Sequence, residues 1–185
     1  MSADSDGVCF VDLAPLSEPV QVPRAAVAAL GIKEQPGQMH LQTLLAYLSR
    51  RRLVLMLDNC EHLVDACARF AEGLLWACPG LTVLATSRER LRVSGETAWP
   101  VNPLALPPAD WPERVEPVAD YDAVRLFVDR ATLNAPSFTV SAASIGIDTC
   151  QICRQLDGIP LAIELAAALV SSMSSEQIPQ REPPR

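Results

Sequence analysis

Leu53-Val54-Leu55-Met56-Leu57-Asp58, followed at once by Asn59-Cys60-Glu61-His62, is the stretch on which the fold turns. Five apolar residues in a row, with no polar alternation, read as a strand buried on both faces of a parallel sheet. The run ends on a carboxylate at the strand's C-terminal edge, where open α/β sheets bind their ligands. Such an acid can organise a bound cation, or it can merely cap the helix that follows. Arg50-Arg51-Arg52 stands just before the run, at the end of a helical pattern, where cations complement the helix dipole and stay solvated.

Upstream, Gly7-Val8-Cys9-Phe10-Val11-Asp12-Leu13 reads as a second strand, so near Met1 that a preceding segment is expected. Ala25 to Leu30 is helical and stops at Gly31. Leu41, Leu44, Leu45 and Leu48 then mark a further helix by their i, i+3, i+4, i+7 spacing. Downstream, Leu63, Cys67, Phe70 and Leu74 lie on one face of a helix that ends near Pro79-Gly80. Leu81-Thr82-Val83-Leu84-Ala85-Thr86 is the next strand and runs directly into Ser87-Arg88. Thr97 to Val101 is a weaker strand candidate, closed by Asn102-Pro103. The alternation predicts an α/β core, a parallel sheet with flanking helices, over residues 1–105.

Five prolines between Pro103 and Pro117 predict a linker over residues 106–120. Beyond it the period changes. Val124, Phe127, Val128 and Ala131 form one helical stripe, and Ile145, Thr149, Ile152 and Leu156 form another, with Ser141 as its N-cap. In Leu156-Asp157-Gly158-Ile159-Pro160-Leu161, Gly158 can end one helix and Pro160 open the next. The helix from Pro160 to about Met173 is nearly all apolar and is expected to be buried. A small all-α subdomain over residues 121–178 follows from this, with a patternless tail over 179–185 expected to be disordered.

Of the 185 residues 49% are hydrophobic, which supports a folded core, and the formal net charge is −7. With a pI near 4.8, a counterion-release grip on nucleic acid by this stretch is not expected. The six cysteines fall mostly in apolar patterns, and the N-terminus has neither a basic nor an apolar signal region. Both features point to a cytoplasmic, reduced protein. Cys150-x-x-Cys153 lacks the second pair or nearby histidine of a zinc site, so core packing is the better reading. The apolar run from Ile159 to Val170 contains Glu164 and is too short to span a bilayer, so no membrane partner is expected.

Four stretches, in this order, carry a family likeness: Gly7 to Leu16 (GVCFVDLAPL), Leu55 to Leu63 (LMLDNCEHL), Leu84 to Glu89 (LATSRE) and Leu156 to Ala162 (LDGIPLA). Over roughly residues 7–178 the chain resembles the NB-ARC type of STAND nucleotidase, a P-loop NTPase class found in bacterial LuxR-type and antibiotic-regulatory transcription factors. The resemblance implies a signal-transduction switch that binds ATP or ADP with Mg²⁺. Asp58 would be the Walker B acid, ordering Mg²⁺ through water, with Glu61 the nearest carboxylate able to act as a base. Thr86, Ser87 and Arg88 would form the sensor, with Arg88 reading the γ-phosphate. Gly158 and Pro160 would belong to the family's Gly-x-Pro element in an ARC1-like subdomain, whose proline packs on the nucleotide.

The sequence departs from that pattern in one respect that matters. It contains no Gly-x-x-x-x-Gly-Lys-Ser/Thr loop, and its one lysine, Lys33, has the wrong surroundings to supply the loop's cation. The resemblance places that loop before residue 7. The chain therefore reads as a fragment of a larger regulator, with nucleotide binding by itself weak or absent and catalysis slow or absent. Its partners would be the remainder of the parent regulator or another subunit, and open sheet edges would favour self-association. Two other classes fit part of the pattern. One is an interaction module that keeps the fold without nucleotide. The other is a phosphoacceptor receiver domain, for which Asp58 and Thr86 are well placed but Asp12 stands without an acidic neighbour and no lysine follows Lys33.

Overall fold

The structure, a computed structural model, describes residues 6–33, 38–108, 120–134 and 145–169. The chain divides into two units, Met1–Trp99 and Pro100–Arg185, each with its own hydrophobic cluster.

The first unit is a three-stranded parallel sheet in the order β1 (Gly7–Asp12), β2 (Leu53–Asp58), β3 (Leu81–Ala85). Parallel strands need crossovers, and these are supplied by α1 (Gln21–Ala29), α2 (His40–Leu48) and α3 (Val64–Ala77). The register sets Cys9, Leu55 and Val83 side by side, then Val11, Leu57 and Ala85. With Leu13 and Leu53 these strand residues pack against Val22, Ala26, Val27, Leu44, Leu48, Cys67, Phe70 and Leu74 of the helices. Helix α1 ends as its sequence implies. Gly31 takes φ +64°, its N–H bonds Ala28 O at 3.0 Å, and Ile32 N–H bonds Val27 O at 3.1 Å, a Schellman arrangement.

Two expectations need correction in this unit. Strand β2 is not buried on both faces: Leu53, Leu55 and Leu57 are buried, whereas Val54, Met56 and Asp58 are only partly so. The helices pack on one side of the sheet, because every fully buried strand residue has odd parity. Residues Thr97 to Val101 form no strand. Trp99 and Val101 are exposed there, and Pro100 and Pro103 cannot donate to a ladder.

The second unit packs α4 (Asp122–Asn134), α5 (Ile145–Gln155) and α6 (Pro160–Leu169) around Val124, Phe127, Ala131, Cys150, Cys153, Ile163 and Ala167. Cys150 and Cys153 are core residues, as their spacing implied. Leu104, just before the expected linker, and Leu106, its first residue, pack on this cluster, so the linker's start belongs to the second unit's core. Residues 109–119 of that linker, Ser141 and the 179–185 tail lie outside the described residues. Helix α6 is less buried than its composition suggested: Ile163 and Ala167 are covered, while Leu161, Leu165 and Leu169 are exposed on the other side. A helix apolar at every position but Glu164 has more apolar surface than its neighbours in this unit cover.

The turn between α5 and α6 is tightly specified. Asp157 (φ +52°) and Gly158 (φ +68°) both have left-handed backbone. Asp157 N–H bonds Arg154 O at 3.0 Å and Gly158 N–H bonds Cys153 O at 3.1 Å, closing the helix. Gly158 is buried, its carbonyl accepts from Leu104 N–H at 2.9 Å, and a Cβ there would lie 2.5 Å from Leu104 O. Pro160 then opens α6, where a missing N–H costs nothing.

Gly158→Ala is therefore expected to lower stability by about 2 kcal/mol or more, from the left-handed penalty and the backbone clash. Gly73→Ala, in the exposed interior of α3 with open space around it, should raise stability by about 0.5–1 kcal/mol. Urea denaturation of both variants measures the opposite signs.

All six cysteines are free and buried. Burial pushes the Cys153 thiol up to about 12, with the neighbouring Cys150 adding to the effect, and burial likewise raises Cys9, Cys78 and Cys150. The folded state thus holds these protons more tightly than the unfolded chain. The stability they contribute is complete below the ordinary thiol value of 9.0 and is lost as pH rises toward 12. Melting temperatures recorded across that alkaline range should fall, and Cys153→Ala should flatten the fall.

Candidate functional site

The residues that end the parallel strands meet at one edge of the sheet. Register brings Asp12 beside Asp58, and Leu57 beside Ala85, so Thr86 emerges next to Asp58. Four hydrogen bonds tie Thr86 to residues 57–60. Its N–H donates to Leu57 O and its carbonyl accepts from Cys60 N–H, both at 2.9 Å. Its hydroxyl donates to Asp58 Oδ1 at 2.6 Å and accepts from Asn59 N–H at 2.9 Å. A hydroxyl-to-carboxylate bond this short is charge-assisted and fixes the carboxylate plane.

Asn59 makes this geometry possible. It has φ +67°, which turns the chain sharply at the strand's end and aims its N–H at the Thr86 hydroxyl. Asparagine tolerates that conformation better than most residues. A 3₁₀ turn, Cys60–His62, follows. Within it Cys60 Sγ lies 3.5 Å from Leu57 O, and a thiol–thiol hydrogen bond with Cys67 raises the Cys60 thiol and lowers that of Cys67. His62 Nε2 lies 2.9 Å from Leu16 O, so an Nε2–H tautomer ties this turn to the segment after β1. Its Nδ1 then faces the Asn59 side-chain amide at 3.5 Å.

Arg88 Nε lies 3.2 Å from Glu61 Oε1, with the arginine side chain 88% exposed. An exposed pair of this kind is worth about 0–1 kcal/mol, so a competing anion can take the guanidinium cheaply. Ser87 does not turn toward Asp58; its hydroxyl accepts from Glu89 N–H at 3.3 Å within its own loop. Gly158 and Pro160 belong to the second unit, where they shape the α5–α6 turn. The structure thus joins Asp58 to Thr86 and Glu61 to Arg88.

Among the described residues no group of three His, Cys, Asp or Glu side chains could hold a metal ion. The donor set present is the Asp58 carboxylate, with one oxygen engaged by Thr86, and the neighbouring Asp12, whose Oδ1 accepts from Ala14 N–H. That fits a Mg²⁺ retaining most of its waters and a phosphate ligand, and does not fit a cation held by protein alone. Sequence reading did not single out Asn59 or His62 as supports of the corner. An asparagine directly after a strand-ending acid is a weak cue for left-handed backbone, and the His62–Leu16 bond had no sequence cue.

No protein-family model matches the sequence, and no solved structure matches it significantly. Curated relatives do. The chain is 47% identical over 176 residues, 94% of its length, to Putative HTH-type transcriptional regulator Rv0890c of Mycobacterium tuberculosis. It has the same identity to Putative HTH-type transcriptional regulator Mb0914c of Mycobacterium bovis. It is also 41% identical over 167 residues, 90% of its length, to Uncharacterized protein Rv0894 of M. tuberculosis. The chain spans 18% of the first two relatives and 39% of the third. Its likeness is thus to segments of longer proteins, two of them named as HTH-type regulators. No helix among the described residues is long and apolar enough to cross a membrane.

Thr86→Val keeps the shape of the side chain and removes both hydroxyl bonds, leaving Asn59 N–H and Asp58 Oδ1 without their partner. The expected cost is about 2–3 kcal/mol in urea denaturation, with amide shifts centred on residues 58–62. Thr86→Ser keeps the hydroxyl and should recover most of that loss.

Proposed function

We propose that this chain is the nucleotide-responsive switch segment of an HTH-type transcriptional regulator, with a phosphate-bearing ligand and Mg²⁺ read at the Asp58–Thr86 corner. The observation that carries the reading is the 2.6 Å bond that orients Asp58 at the C-terminal edge of a parallel sheet, where such folds take their ligands. Arg88 supports it, since its weak pairing with Glu61 leaves a cation free to turn to a phosphate. The likeness to segments of two proteins named as regulators supports the regulatory half of the proposal. In this reading Asp58 orders metal-bound water, Thr86 holds Asp58 in place, and Arg88 senses the terminal phosphate. Mg²⁺ bound there would neutralise the phosphates and link them to the carboxylate. ATP and ADP are the ligands expected from the resemblance.

The binding is expected to be weak in the chain alone, because no glycine-rich, lysine-bearing loop in the sequence cradles the phosphates. A second reading, an interaction module without nucleotide, is favoured by one observation: in the structure both Thr86 and Arg88 are already satisfied by protein groups.

Thermal melts with and without Mg·ADP separate the two. A ligand at about 100 times its Kd stabilises by about 2.7 kcal/mol. The switch reading expects a rise in melting temperature that needs millimolar ligand and is lost in Asp58→Ala and Arg88→Ala. No shift at any concentration would establish the module reading in its place, and the same shift in both variants would put nucleotide binding away from this corner and overturn the assigned site.

A further inference from the structure

The ion pair between Arg88 and Glu61 differs in kind from the one between Arg130 and Glu164. Arg130 and Glu164 join α4 to α6 at 3.0 Å, with side chains 46% and 38% exposed. Both partners sit on regular helices and share the solvent almost evenly. Arg88 and Glu61 meet at 3.2 Å with exposures of 88% and 22%. One partner of that pair is held by the protein and the other is not.

Glu61 is the held partner. Its 3₁₀ turn is fastened on both sides: Cys60 N–H bonds Thr86 O, Leu63 N–H bonds Cys60 O, and the His62 ring reaches Leu16 O, each at 2.9 Å. A mostly covered carboxylate has lost part of its hydration and is stabilised by a cation beside it. A second acid is close, since Glu61 and Asp58 both act on the Cys60 thiol. Arg88 is the loose partner. Residues 86–90 lie in no helix or strand and all are exposed, and Glu61 is the one carboxylate paired with Arg88 among the described residues. The guanidinium can swing away while Glu61 stays in place.

A phosphate that takes Arg88 therefore leaves Glu61 without its cation, partly covered and near Asp58. That opposes the binding of any anion at this corner by the strength of the pair. A contact of this kind corresponds to about two- to fivefold in an equilibrium constant.

We infer that Glu61 is a built-in competitor at the Asp58–Thr86 corner: its carboxylate occupies Arg88 in the empty site and sets the threshold that an incoming phosphate must exceed. The inference rests on reading the corner as a phosphate site, and it gives Glu61 a restraining role there instead of a catalytic one.

The test titrates the full 185-residue chain with Mg·ADP and follows amide shifts by NMR. Glu61→Gln keeps the shape of the side chain, removes its charge, and should tighten binding about two- to fivefold. Glu61→Asp, which keeps the charge but shortens its reach, should give a smaller gain. In an Arg88→Ala background Glu61→Gln should give no gain, because no arginine is left to release. Asp65→Asn, at an exposed acid in the first turn of α3, should leave affinity unchanged. Without ligand, the Arg88 Nε–H should exchange with water faster in Glu61→Gln than in the unsubstituted chain. Melting temperatures check that each variant is folded. Equal Mg·ADP affinity in Glu61→Gln and the unsubstituted chain, or unchanged Arg88 exchange, overturns the inference and leaves the switch reading in place. So does a gain that survives in Arg88→Ala or appears in Asp65→Asn, which would be general charge repulsion. No response to Mg·ADP in any of these proteins overturns the switch reading and the inference together.

Discussion

The Thr86 hydroxyl holds the first unit's working edge together. It joins the carboxylate that ends β2 to the backbone that leaves it, while the Thr86 peptide groups bond Leu57 and Cys60. Without that clamp the left-handed turn at Asn59 would carry its strain uncompensated, and Asp58 would be one more solvated acid. The turn, in turn, places Glu61 for Arg88 and His62 for Leu16. Local strain, orientation of the acid and the position of the arginine are thus consequences of one residue following β3.

This arrangement has two sides chemically. A carboxylate oriented before any ligand arrives loses little entropy on binding one, which favours a site. The same saturation of Thr86 and Arg88 by protein groups means a ligand must compete for them. The weakness of an exposed guanidinium–carboxylate pair makes Arg88 the easier of the two to recruit. Thr86, with donor and acceptor both used, is better regarded as support for Asp58 than as a ligand-binding group in its own right.

Much of the chain was legible. The strand readings agree with β1, β2 and β3 to within a residue, because unbroken apolar runs bounded by polar or turn residues leave few alternatives. The stop of α1 at Gly31 and the opening of α6 at Pro160 followed from backbone chemistry that belongs to those residue types. What composition could not report was coverage. Met56 in β2 and Leu165 in α6 are apolar whether or not anything lies against them, so both runs were read as buried all round when each has an open side. The Thr97–Val101 segment had strand-forming residues but no neighbour to pair with. Nor could the sequence tell whether Thr86 faced a ligand or Asp58, since that depends on the register between two strands far apart in the chain.

The burial of all six thiols has a practical consequence. A protein without reactive surface sulfur is already a blank background for labelling. A single reporter cysteine installed at Trp76 in the first unit, or one each at Trp76 and Leu133, would be the only handle open to a maleimide dye, so the separation and motion of the two units can be read by fluorescence transfer without first stripping out the native sulfurs on which both cores rely.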